Sequence, residues 1–161
     1  MKVLIVSDTH RRNDHFFDVL KMIEPVDMVI HCGDNEGSEY AITARVDCPV
    51  QMVAGNNDFF SQLPSELEFG IGKYHIWVTH GHNYYVSMGT EFLKQEARVR
   101  GVDIVFYGHT HRPKIELGDV IAINPGSISY PRQDGRKPSY VLMDIDRFGE
   151  AHFTLRYIDG Y

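Results

Sequence analysis

The chain has 161 residues, a formal charge of −6 from 16 Lys plus Arg against 22 Asp plus Glu, and only two cysteines. That length suits one domain, residues 1–161, whose core needs no disulfide staples. The acidic balance leaves no basic footprint for a nucleic-acid binder, and no apolar run approaches the roughly 18 residues of a membrane span.

Residues 3–6 read as a buried parallel strand, short, apolar and β-branched. Residues 14–24 carry Phe16, Phe17, Val19, Leu20 and Ile23 at helical spacing, with Asn13 or Asp14 as cap and Pro25 as stop. Residues 26–32 form the second strand, so the chain opens as a βαβ unit. Residues 36–45 are weakly helical, and Pro49 precedes a third strand over 50–54. Residues 67–71 and 74–79 form a hairpin around Gly70-Ile71-Gly72-Lys73. A helix over 89–100 ends at Gly101, and strands follow over 102–107, 114–117, 120–123, 140–145 and 151–158. There is no repeat, low-complexity tract or linker, and the prediction is an α/β domain with mixed sheets. The N-terminal stretch Met1-Lys2-Val3-Leu4-Ile5-Val6-Ser7-Asp8 is too soon acidic for a signal peptide, so a cytoplasmic protein is expected.

Five of these apolar runs end alike. They deliver Asp8-Thr9-His10, His31-Cys32-Gly33-Asp34, Gly55-Asn56-Asn57-Asp58, His80-Gly81-His82 and Gly108-His109-Thr110-His111. Ligands of open α/β sheets sit outside the carboxyl ends of the strands. Asp8, His10, Asp34, Asn56, His80, His109 and His111 would therefore converge. Mixed oxygen and imidazole donors suit Zn, Mn, Fe, Co or Ni rather than Ca. Seven donors exceed what one tetrahedral ion needs and suit two ions sharing a carboxylate. Turn chemistry explains Asp and Asn after strands, but not four histidines.

With these motifs the chain resembles the calcineurin-like metallophosphoesterases. The match is Asp8-x-His10, Gly33-Asp34, Gly55-Asn56-x-Asp58, His80-Gly81-His82 and Gly108-His109-x-His111, in the family's order. Asn124-Pro125-Gly126-Ser127 followed by Pro131-Arg132 narrows it to the small bacterial and archaeal phosphodiesterases. The resemblance implies a metallophosphatase-like β-sandwich of two mixed sheets flanked by helices (α/β/β/α). It implies two divalent transition-metal ions, manganese foremost, with zinc, iron, nickel or cobalt as alternatives. One ion would be held by Asp8, His10, Asp34 and His111, the other by Asp34, Asn56, His80 and His109, with Asp34 bridging. A hydroxide between the ions would attack a phosphate diester. A homodimer or higher homo-oligomer is the family's habit.

One position departs from the pattern. The family usually carries a leaving-group histidine after the third-motif Asn, and here Asn57 stands in its place. An amide cannot act as a general acid, so activated leaving groups are expected to be favoured, with His82 as the substitute acid or phosphate ligand. The catalytic set is thus Asp34, Asn56, Asn57 and His82. Alternatives are a phosphomonoesterase and a non-catalytic scaffold, because one trafficking-coat subunit resembling this family uses the fold for protein contacts. His15, His75 and His152 read as structural or surface groups and His31 as a supporting one. Asp58 reads as a brace for Asn56, the 124–127 stretch as a rigid turn, and Arg132 as a phosphate partner or a surface residue. Specificity is expected in loops 36–40, 59–64 and 83–89.

Overall fold

The structure, a computed structural model, describes residues 1–159. Its strands are β1 (Lys2–Val6), β2 (Met28–His31), β3 (Val50–Met52), β4 (Glu66–Ile71), β5 (Tyr74–Thr79), β6 (Ile104–Phe106), β7 (Lys114–Glu116), β8 (Ile121–Asn124), β9 (Ser139–Ile145) and β10 (Ala151–Tyr157). Its α-helices are α1 (Asp14–Ile23), α2 (Glu39–Thr43) and α3 (Glu91–Arg100). Each predicted strand and helix is present, with ends moved by a few residues.

The strands build two five-stranded sheets, ordered β10-β9-β1-β2-β3 and β4-β5-β6-β8-β7. β1, β2 and β3 run parallel in one, β5, β6 and β8 in the other, and the outer pairs are antiparallel. Because side chains alternate along a strand, each sheet has an inner and an outer face. Val3, Ile5 and Ile30 from one sheet meet Ile76, Val78, Ile104, Phe106 and Ile123 from the other in the central core. Leu4, Val6 and Val29 face outward onto Phe16, Val19 and Leu20 of α1 and Ile42 of α2. Trp77, Val105 and Tyr107 face outward onto Leu93 and Ala97 of α3. The layers are therefore α/β/β/α, as the resemblance implied.

Local chemistry explains the boundaries. Gly101 ends α3 in the left-handed conformation (φ 69°), its N–H donating to Arg98. The β4–β5 turn leaves only Gly72 and Lys73 between the strands, as the predicted strand bounds require. Asn13 occupies the N-cap position of α1 but makes no side-chain capping bond. Residues 82–88, left unassigned by periodicity, form two short 3-10 turns, His82–Tyr84 and Val86–Met88.

Candidate metal centre

The parallel strands of both sheets end on the same rim. The loops after β1, β2 and β3 carry Asp8, His10, Asp34 and Asn56, and those after β5 and β6 carry His80, His109 and His111. Five of these seven, Asp8, His10, Asp34, His109 and His111, have φ between 46° and 74°. Side-chained residues avoid that region, and such strain gathers at functional sites. Close approach also demands glycine. A Cβ on Gly55 would overlap the Asp34 carboxylate, and one on Gly108 would overlap Ser7 and Asp8.

Asp8, His10 and His111 bring one donor atom each within 4.8 Å of one another, and so do Asp8, Asp34 and His80. Asp8 Oδ1 lies 3.3 Å from His111 Nε2 and 3.8 Å from His80 Nε2. Asp34 Oδ2 stands between the groups, 3.3 Å from His80 Nε2 and 3.8 Å from His10 Nε2. Asn56 Oδ1 meets His109 Nδ1 at 3.0 Å, and the His109 and His80 rings are 5.2 Å apart.

The second nitrogen of three of the four rim histidines is already committed to a supporting group. His10 Nδ1 donates to Glu36 (2.9 Å), His80 Nδ1 to the Cys32 carbonyl (2.7 Å) and His111 Nδ1 to the Tyr130 carbonyl (2.6 Å). Such bonds aim the opposite nitrogen at a metal. The donor set fits a metal on a further ground. Asp8 Oδ1 and His80 Nε2 are buried without a hydrogen-bond partner, a costly state for polar atoms unless a cation satisfies them.

Electrostatics follows from this crowding. Burial would raise both carboxyls, but facing imidazoles hold Asp8 well below the carboxylate range, and His80 with the Asn57 N–H brings Asp34 to about 2. Burial opposes a charge on His10, yet Asp8 and Glu36 raise it to about 9. His82 and His109 are pushed down, first by burial and then by the His80 charge.

The flanking residues hold this arrangement. Asp58 accepts the Asp34, Gly55 and Glu36 N–H groups at 2.7–2.8 Å, tying the loops after β2 and β3 together. Asn57 donates both its backbone N–H and its side-chain amide to Asp34, each at 2.9 Å. His82 lies 5.4 Å from His80 ring to ring, and its Nδ1 is buried without a partner. His31 is fully buried, bonded to Thr9 (3.0 Å) and accepting the Gly33 N–H (3.1 Å), and burial lowers it to about 4. His15, His75 and His152 lie away from the cluster, bonded to the Ile128 carbonyl, the Gly101 carbonyl with Glu68, and Asp146.

Several supports were invisible in the sequence. Asn124 donates to the Gly108 carbonyl and Thr110, and Ser127 donates to the Asp8 carbonyl (2.8 Å). The 124–127 stretch thus fastens both loops rather than merely adjoining them. Glu36, expected only within a specificity loop, orients His10.

A family model described as a calcineurin-like phosphoesterase superfamily domain matches residues 1–147. The chain is 34% identical over 161 residues to "Probable metallophosphoesterase YsnB" of Bacillus subtilis (strain 168), covering 99% of this chain and 91% of that one. It is 33% identical over 148 residues to phosphodiesterase MJ0936 of Methanocaldococcus jannaschii, covering 78% and 83% respectively. Among solved structures, wild-type Vps29 of Entamoeba histolytica complexed with Zn²⁺ superposes with a TM-score of 0.77 at 25% identity, covering 98% and 99%.

Proposed function

The chain belongs to the calcineurin-like phosphoesterase superfamily, and from that we propose that it is a dimetal phosphodiesterase acting, as one domain, on diesters with activated leaving groups. Asp8, His10, Asp34 and His111 would hold one divalent ion, and Asp34, Asn56, His80 and His109 the other, manganese being the first choice. The observation that carries this reading is the pair of buried, unpartnered donor atoms, Asp8 Oδ1 and His80 Nε2. Bound there, divalent ions supply Lewis acidity, lowering the pKa of water and neutralising charge on phosphoryl oxygens.

The remaining work falls to the chain's own groups. Glu36 and the Cys32 and Tyr130 carbonyls fix the imidazoles. Asn57 positions Asp34 through two hydrogen bonds and has no proton to give a departing alkoxide. A leaving group that departs as a stable anion needs none. His82, beside His80 and His109, is the residue nearest to hand for a phosphoryl oxygen or a leaving group.

A binding module is the second reading, favoured by the likeness to Vps29, a vacuolar protein sorting protein. That protein has been solved with Zn²⁺, so bound metal does not separate the two readings, whereas hydrolysis does. The test is manganese-reconstituted enzyme against matched aryl and alkyl mono- and diesters. Preferential cleavage of aryl diesters is expected. No metal-stimulated cleavage of any ester would favour the binding module.

A further inference from the structure

We propose that the cavity beside His10 and His111 is a subsite for a second phosphate, so that the preferred diester carries a phosphomonoester on the arm seated there. This rests on the phosphodiesterase reading above. The cavity measures about 710 Å³ and is walled by His10, His111 and Tyr130 together with Arg112, Arg132 and Arg136. That volume is typical of a small-molecule site and exceeds what the scissile phosphoryl group alone requires.

Its charge is the unusual part. In a chain of net charge −6, three exposed arginines line one cavity, and among the described residues none of the three side chains has a hydrogen bond or ion pair. Two other guanidiniums are neutralised, Arg98 by Asp119 and Arg100 by Glu66, Glu68 and Glu96, while Arg12, Arg45 and Arg147 lie singly over aromatic rings. What sets Arg112, Arg132 and Arg136 apart is that the three share one cavity. The carboxylate on this wall, Glu36, is engaged by His10 at 2.9 Å and Arg11 at 3.9 Å. Arg136 is held at φ 45°, a conformation easier for Gly or Asn.

Guanidiniums match phosphate oxygens through paired N–H bonds, and a dianionic monoester can engage all three. Arg112 and Arg132 also border a second cavity, about 550 Å³, that reaches His109. They stand between the two arms of a bound diester. Arg136 borders the first cavity and not the second, which makes it the discriminating residue.

The test uses thymidine 5′-(p-nitrophenyl phosphate) with and without a 3′-phosphate, on the manganese-loaded full chain. The 3′-phosphate should lower KM by about ten-fold or more, the worth of a charge-assisted hydrogen bond. Arg136→Gln should erase most of that advantage through KM rather than kcat, and Arg136→Lys should restore part of it. In the metal-stripped chain, calorimetry should find thymidine 3′,5′-bisphosphate bound more tightly than the 5′-monophosphate, with the difference lost in Arg136→Gln. Equal KM for the two esters, or an advantage that survives in both Arg136→Gln and Arg132→Gln, overturns the subsite and leaves the phosphodiesterase reading intact. Failure to cleave either ester overturns that reading, and the subsite with it.

Discussion

Two clusters of charge in this molecule are built on opposite principles. Beside α3, Arg100 bonds Glu66 at 2.8 Å, Glu68 at 2.9 Å and Glu96 at 2.9 Å, while its guanidinium lies 4.2 Å over the Trp77 ring. Opposite charges meet, the guanidinium donors find acceptors, and the backbone is ordinary β4 strand and α3 helix. At the strand ends, imidazoles crowd buried carboxylates, Asp8 Oδ1, His80 Nε2 and His82 Nδ1 lack partners, and the chain bends repeatedly into left-handed φ. The charges of the first cluster are balanced without anything added. The second makes energetic sense only when a cation arrives, because unpaired buried polar atoms cost stability. A concentration of charged residues therefore says little by itself, whereas ionisable groups left with unsatisfied buried atoms say what the region is for.

The sharpest way to break this contrast is Asp34→Ala. Asp34 lies between the two donor groups, so its loss should lower kcat/KM for an aryl diester by at least about 10³-fold, beyond the loss of a single oxyanion donor. The thermal midpoint of the metal-free chain should also fall, since a carboxylate held down to about 2 and its two bonds from Asn57 are lost. Activity close to wild type would remove Asp34 from the bridging role.

Next in size are His109→Ala and His111→Ala. These residues sit two apart, yet His111 lies on Asp8 and His10 while His109 lies on Asn56. Each variant should lose a different ion, taking the stoichiometry in a metal titration from two to one, and both should lose the same reaction. If either variant still bound two ions with unchanged affinity, the division of the Gly108-His109-Thr110-His111 loop between two ions would be wrong.

Much of the fold was readable because buried parallel strands are apolar runs that stop abruptly in polar residues, as at Val6, His31 and Phe106. Such runs have a period and an end, and the site residues lie at the ends. Contacts between distant residues have neither. Ser127 reaches Asp8 across 119 positions and Glu36 reaches His10 across 26, so nothing local announced them. Residues 82–88 stayed unassigned for a related reason, since short 3-10 turns with Tyr85 at φ 56° carry no helical stripe. The return of β9 and β10 to pair beside β1 is likewise a choice between sheets that alternation alone does not make.

A smaller effect is expected from Asn57→His, which sharpens the comparison from within the site. The histidine would surrender an amide bond to Asp34 but restore a group able to protonate a leaving alkoxide. Cleavage of alkyl diesters should rise by about ten-fold, below the roughly 10²- to 10⁴-fold of a fully positioned general acid, while aryl diesters change little or decline. The measurement is the slope of log kcat against leaving-group pKa, which should flatten. A slope as steep as in wild type would mean that proton donation at position 57 does not limit the reaction.

The smallest effect belongs to the charge-balanced kind of cluster, away from the rim. Glu116 accepts from Lys94 at 2.6 Å and Thr90 at 2.8 Å. Partial burial works against its charge, but these two donors and Lys114 hold its carboxyl below the ordinary 4.5. A depressed carboxylate contributes stability that is fully present above its unfolded value and lost as pH falls through the folded one. Glu116→Gln should therefore cost about 1 kcal/mol at neutral pH, the upper range for such pairs. That cost should vanish as the pH drops below 4.5. Thermal melts of both proteins at neutral and acidic pH would read it directly, with the gap in midpoint closing in acid. Diester hydrolysis should stay within about two-fold, since Glu116 touches none of the rim donors. A gap that persisted unchanged in acid would show that shape, not charge, holds this contact.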